Sequence, residues 1–268
     1  MTNQYDAIVI GAGHNGMICS ALLAKKGKKV LVLEANDQVG GAAITRKFAD
    51  DFSVSACAHL LFQLQPDVQK DLGIEPDYSK KSLETIVLTD DGNHIRYQGK
   101  NITGVDEEDK KNYIEFHDRM VRFSDLLKTY LNKRPPRLGT KNTKDLMTLA
   151  KLGFDIRRMG KTEMREFLRL IGMNIYDELD ERFVNPYLKG ALSTDAVLGT
   201  HLGPRSPNTI LTYLYRLAGS YGDVSSLQGG MGGLMNLLRS IAEGAGVEIK
   251  TNSKVNEISV SNGAVTGV

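Results

Sequence analysis

The apolar positions change period several times along the chain, and each change marks an element. Ala7–Ile10 is a continuous apolar run with β-branched residues, the pattern of a buried strand. Met17, Ile18, Ala21 and Leu22 then recur at three- and four-residue spacing, which gives a helix one apolar face. Lys25 and Lys26 occupy its last turn and Gly27 ends it, as suits a helix C-terminus. Val30–Leu33 reads as a second buried strand.

Beyond residue 80 the pattern predicts two strands, 82–88 and 94–97, around the hairpin signal Asp90-Asp91-Gly92-Asn93. Residues 106–131 predict a long helix. Its Tyr113, Phe116, Met120, Phe123, Leu127 and Tyr130 alternate at three and four residues, a core face rather than a lipid or substrate surface. Lys133-Arg134-Pro135-Pro136-Arg137 breaks it. Helices continue to about Ala218, with Met164, Phe167, Leu168 and Ile171 on one face. Residues 229–233 open another helix through Leu238 and Ile241. Residues 247–250 and 255–260 read as strands, Asn262-Gly263 as a hairpin turn, and 264–268 as the start of the next strand.

Chemistry enters at the first turn. Gly11-Ala12-Gly13-His14-Asn15-Gly16 fits G-x-G-x-x-G between strand and helix, and Glu34 follows the second strand, 21 residues after Gly13. Gly11 permits the tight turn, Gly13 lets a pyrophosphate approach the backbone, and Gly16 lets the helix pack on the strand. The helix N-terminus favours a phosphate. Glu34 accepts hydrogen bonds from a ribose and repels a 2′-phosphate, and Ala35 and Asn36 add no positive charge. The fingerprint by itself leaves NAD and FAD open.

The second cluster is Gly40-Gly41, followed by Ala42-Ala43-Ile44-Thr45. With Glu34 it resembles the FAD-binding start of the flavin amine oxidase and carotenoid desaturase superfamily. GAGHNG, VGGAAIT, SACAHLLFQLQPDV, LGPRSPNT and QGGMGGLMNLL resemble its phytoene-desaturase-like branch. Within that branch they look most like the pyridine nucleotide-disulfide oxidoreductase domain-containing protein 2 group. The likeness covers most of the chain, loosely in the middle.

The resemblance implies an α/β fold: a Rossmann-like FAD-binding domain (GR2 type) with an inserted, mainly helical α+β substrate domain. The expected boundaries are 1–80 and 220–268 for the first and 81–219 for the second. It implies FAD held by Gly11, Ala12, Gly13, His14, Asn15, Gly16, Glu34, Ala35, Gly40, Gly41 and Ala42, with Val255 reaching toward the adenine. It implies hydride transfer from a small apolar, polyene-like substrate, held between the inserted domain and the flavin, to flavin N5. Oxygen, a quinone or another acceptor then reoxidises the flavin. No residue is singled out as catalytic. The family's chains run on for a comparable length, so the C-terminal part of the fold is expected to be missing, with the last hairpin cut off after its turn. A redox disulfide is excluded, because Cys19 and Cys57 are far apart in sequence and 40–45 holds no cysteine.

Composition changes this picture little. The chain is 41% hydrophobic and 25% charged, ordinary for a globular protein, and its net charge of +2 does not point to nucleic acid. No signal or transit pattern precedes Tyr5 and no apolar run approaches a membrane span, which suits a cytoplasmic enzyme. Residues 128–169 carry 12 Lys and Arg against 4 Asp and Glu. This reads first as a solvated helical face balanced by acids such as those at 106–109, with peripheral docking on anionic lipid as the alternative. Five histidines show no metal spacing. His14 shapes the phosphate turn, and His59 reads first as a structural histidine, with an active-site role as the alternative. Arg205, in Gly203-Pro204-Arg205-Ser206-Pro207, either orients a substrate or belongs to a rigid surface loop. The rival readings are an NAD-linked dehydrogenase and a non-catalytic nucleotide-binding module.

Overall fold

The computed structural model describes residues 4–61, 63–220 and 224–268. The residues ahead of Gln4, Phe62 of the 55–68 segment, and 221–223 lie outside it. Contacts group the chain into two units, residues up to Lys81 together with Ser225–Val268, and Ser82–Val224.

The first unit is built on β1 (Ala7–Ile10), α1 (His14–Lys25) and β2 (Val30–Leu33). The strands pair in parallel, Ala7 opposite Val30 and Ile10 opposite Leu33, so the chain must cross over between them, and α1 is that crossover. Two antiparallel strands follow, β3 (Thr45–Ala49) and β4 (Phe52–Ser55), then α2 (Pro66–Leu72) and β5 (Tyr78–Lys80). The core of this unit joins Met17 and Ala21 of α1 to Val30 and Val32 of β2.

The second unit opens with β6 (Thr85–Val87), β7 (Ile95–Gln98) and β8 (Asn101–Thr103), an antiparallel sheet in that order. The hairpin expected over 82–97 is present, with Gly92 at φ +77 in its turn, and β8 is an added third strand. Then come α3 (Glu107–Lys128), α4 (Thr143–Arg158), α5 (Lys161–Leu170), α6 (Ile175–Asp180), α7 (Pro186–Val197) and α8 (Thr209–Gly219). Asp106 caps α3, its carboxylate accepting from Asp109 N at 2.7 Å. Tyr113, Phe116, Met120 and Phe123 are buried against α7 and α8 residues such as Leu188, Ile210 and Leu214, so the stripe is a core face. One assignment fails. Leu168 of α5 is half exposed, and Leu170 turns inward with Phe167 instead. A periodic run longer than one turn has two candidate faces, and packing chose the other.

The chain returns to the first unit through β9 (Ser226–Leu227), which pairs with β5, and α9 (Gly230–Gly244), whose Met235, Leu238 and Ala242 join the first core. β10 (Glu248–Lys250) adds to the free side of β2 in parallel. The expected strand at 255–260 is largely corrected. Only β11 (Ser259–Ser261) forms, because the preceding backbone turns at Asn252, φ +51, and bonds to the end of β2 instead. β12 (Ala264–Gly267) pairs back on β11 across Asn262 and Gly263, whose φ of +51 and +76 suit a tight two-residue turn. The hairpin is therefore closed over these residues, not cut off after its turn.

Candidate dinucleotide-binding site

The two glycine clusters meet at the end of β1. Gly11 leaves the strand at φ +93, a conformation glycine alone adopts cheaply, and its N–H donates to Leu33 O at 2.8 Å. Gly13 caps α1 in an extended conformation. A Cβ on Gly13 would meet nothing within 4 Å, so the backbone there is open to a ligand. Gly16 differs. A Cβ there would lie 2.2 Å from Gly11 O and 3.4 Å from Val9 Cγ1, so its smallness serves helix–strand packing. No side chain caps α1, and its first turn holds no acid. The N–H groups and the positive end of the dipole thus remain available to an anion. His14 and Asn15 are exposed beside it.

Gly40-Gly41 is fastened directly to this turn. Gly40 N–H donates to Ala12 O at 2.8 Å, and Gly13 and Gly40 form a parallel bridge. Gly40 stands at φ +135, where a Cβ would sit 2.5 Å from Ile44 Cγ2. A Cβ on Gly41 would sit 3.4 Å from Gly13 Cα. Gly40 is buried, whereas Gly41 and Ala42 are exposed, and Gly41 presents its backbone next to Gly13.

Glu34 binds the turn from the other side. Its carboxylate is buried and accepts from Ala12 N at 2.7 Å, Asn36 N at 2.9 Å and Asn36 Nδ2 at 2.8 Å. Burial alone would raise its pKa, but these donors outweigh it and hold the carboxyl below the ordinary glutamate value. Asn36 is a partner that sequence spacing did not reveal. The Ala35 backbone adds a further hydrogen bond, so the carboxylate is held by the turn on every side. Ala35 is exposed beside it. Glu34 N donates to Lys250 O, and Ser253 N to Glu34 O, so the segment after β10 lies against the end of β2. There Val255 lines a cavity of about 400 Å³ with Leu33, Ser253, Lys254, Asn256 and Glu257.

Residues 229–233 take a definite role. Thr45 Oγ1 accepts from Gly232 N at 3.0 Å and donates to Gly229 O at 2.8 Å, while Ser55 Oγ accepts from Met231 N at 3.1 Å. A Cβ on Gly232 would come within 2.8 Å of Thr45. The segment is thus a helix start packed on β3 and β4. Beside it a cavity of about 590 Å³ is lined by Gln38, Ile44, Thr45, Ser53, Ser55, Asn236 and Arg239, among others. His59 is exposed, with Nδ1 3.3 Å from Cys57 O. Arg205 lies 3.9 Å over the ring of Tyr176, a cation–π contact that fixes its loop. Cys19 and Cys57 are both free. Among the described residues no helix is long and apolar enough to cross a membrane.

Fold and site together define an α/β protein with a Rossmann-like fold of the FAD/NAD-binding kind. Residues 9–72 match the NAD(P)-binding Rossmann-like domain family. Over 99% of its length the chain is 28% identical to pyridine nucleotide-disulfide oxidoreductase domain-containing protein 2 of Rattus norvegicus, covering 50% of that protein. It is also 28% identical to 1-hydroxycarotenoid 3,4-desaturase of a Flavobacterium species, over 98% of this chain and 53% of that one. Among solved structures, a putrescine oxidase variant redesigned in cofactor binding superposes with a TM-score of 0.59 at 18% identity, over 100% of this chain and 55% of that one. The chain spans about half the length of the curated relatives it matches.

Proposed function

We propose that the chain binds the ADP half of FAD and belongs to an FAD-dependent oxidoreductase that takes a hydride from an apolar, polyene-like substrate. The observation that carries this reading is the bridge between Gly13 and Gly40, which sets the open backbones of Gly13 and Gly41 side by side at an uncapped helix N-terminus. A single fingerprint turn suffices for a pyrophosphate; a second one fastened to it offers backbone to the atoms beyond. The residues suit the group. Gly11 to Gly16 and the α1 dipole would hold the pyrophosphate, with Ala12, His14 and Asn15 forming the turn. Glu34, at the end of β2, would face the ribose, with Ala35 beside it. Gly41 and Ala42 would follow the chain toward the flavin, and Val255 would line the adenine cavity.

FAD, when bound, supplies the hydride acceptor. The protein's part is to neutralise the phosphates, fix the cofactor and exclude water around the reacting carbon. A negative Glu34, with no cation at 35 or 36, disfavours a 2′-phosphate and hence NADP. The apolar substrate is favoured by the likeness to the 1-hydroxycarotenoid desaturase, and oxygen, a quinone or another acceptor would take the electrons.

The test is the visible spectrum of the purified chain after FAD is added and the excess washed away. Retained flavin bands support the reading. A colourless protein that binds NADH replaces it with an NAD-linked dehydrogenase, and a colourless protein that binds neither overturns it. Stability of the glycine turn should also depend on pH in a defined direction. The folded pKa of Glu34 is depressed, so its contribution is complete above the unfolded value and is lost as pH falls through the folded one.

A further inference from the structure

We propose that α4 docks the protein on an anionic lipid surface. The inference stands on this helix alone and does not require the cofactor reading. An ordinary surface helix has one apolar face, turned to the core. α4 has two. Leu149, Leu152 and Ile156 are half buried on one side, and Ile156 packs against the second core. On the opposite side Leu146, Ala150 and Phe154 follow at four-residue spacing with Met147 beside them, all exposed. Met147 is 71% and Phe154 61% exposed, and Leu138, in the loop ahead of the helix, is 86% exposed. Neighbouring large apolar side chains left in water on one helix face mark an interaction surface.

Charge selects the occupant. Lys144, Arg157 and Arg158 border the apolar stripe and are exposed, and of the acids on the helix Asp155 attracts Arg158. Arg137 and Lys141 are exposed just before the helix. The acids on α4 itself are already engaged and lie on its inner side. Asp145 is buried and takes Arg134 at 2.8 Å, and Asp155 takes Lys151 Nζ and Tyr130 OH, each at 2.7 Å. Of the neighbouring α5 acids, Glu163 faces Arg122 and Glu166 faces Arg169. The outer face therefore offers apolar side chains rimmed by an excess of cations, the composition that seats a helix flat in the headgroup region of an anionic bilayer. α4 has 16 residues, about 24 Å at 1.5 Å per residue, so it lies on a membrane and does not cross it.

The experiment is co-sedimentation of the full chain with vesicles of phosphatidylcholine alone and of phosphatidylcholine mixed with phosphatidylserine. Binding is expected to the mixed vesicles only, falling as salt is raised. Replacing Lys144, Arg157 and Arg158 together by Gln should weaken it about a hundredfold, at about fivefold per surface cation. Replacing Met147 and Phe154 by Ser should abolish it, with far-UV circular dichroism and gel-filtration volume matching the parent, since neither side chain is in the core. Absence of binding, equal binding to both vesicle types, or retention by the Met147→Ser, Phe154→Ser protein would overturn the proposal. A parent that dimerises, and becomes monomeric on these same substitutions, would assign the face to a second copy instead.

Discussion

Three glycines of one short turn serve three different purposes, and substitution can separate them. Gly16 stands where a Cβ would collide with Gly11 O, and no flexible side chain is there to give way. Gly16→Ala is therefore expected to destabilise the first unit by about 1–3 kcal/mol or more, the scale of overpacking a tight core. Gly13 has a negative φ and open space around its Cα. Gly13→Ala should leave stability within about 0.5 kcal/mol of the parent, as at an unencumbered site, while weakening FAD retention. Urea unfolding and flavin retention measured on both variants check this. Equal loss of stability in both would mean that Gly13 is also a packing glycine and that its openness is not reserved for a ligand. The motif's spacing alone made the roles of Gly11, Gly13 and Gly16 legible, because the turn's geometry follows from chain connectivity. The Glu34–Asn36 bonds were not legible, since they depend on how the backbone folds back after β2 and no periodicity encodes that.

Elements were legible in proportion to how much apolar surface they bury. α3 was readable from one end to the other because its stripe packs along most of its length and Asp106 caps it. β3 and β4 were not, because their residues are mostly exposed and show no alternation of buried and exposed positions. Contacts between elements were hidden altogether, and Asp109 is the sharpest case. It lies on the first turn of α3, fully buried, and accepts from Val184 N at 2.9 Å and Asn185 N at 2.8 Å. Asn185 in turn caps α7 through Tyr187 N and Leu188 N. One carboxylate thus fixes the entry to a helix some 75 residues further along the chain. Asp109→Ala strands two buried donors, each worth about 1–3 kcal/mol, and should lower stability accordingly. Asp109→Asn keeps one acceptor oxygen and should lose less. Denaturant midpoints of the two variants decide it, and an Ala variant within about 0.5 kcal/mol of the parent would mean that water replaces the carboxylate.

At the scale of the molecule the two cores share no member, one gathering α1, α9 and β2 and the other α3, α7 and α8. A ligand bound through the first unit stabilises what it touches by RT ln(1 + [L]/Kd), about 2.7 kcal/mol at a hundredfold excess over Kd. Unfolding is therefore expected in two steps, with FAD raising only one. The chain has no tryptophan, and among the described residues the buried tyrosines, Tyr113 and Tyr213, lie in the second core, so near-ultraviolet circular dichroism of tyrosine reports mainly that unit. Amide hydrogen exchange in α1 and α9 reports the other. Adding FAD should raise exchange protection in α1 and α9 and leave the tyrosine transition where it was. If the tyrosine transition moves by the same amount, the chain unfolds as one cooperative body, and binding at Gly13 stabilises α3 and α8 as much as its own helix. If neither moves, the glycine turns do not hold FAD in this chain.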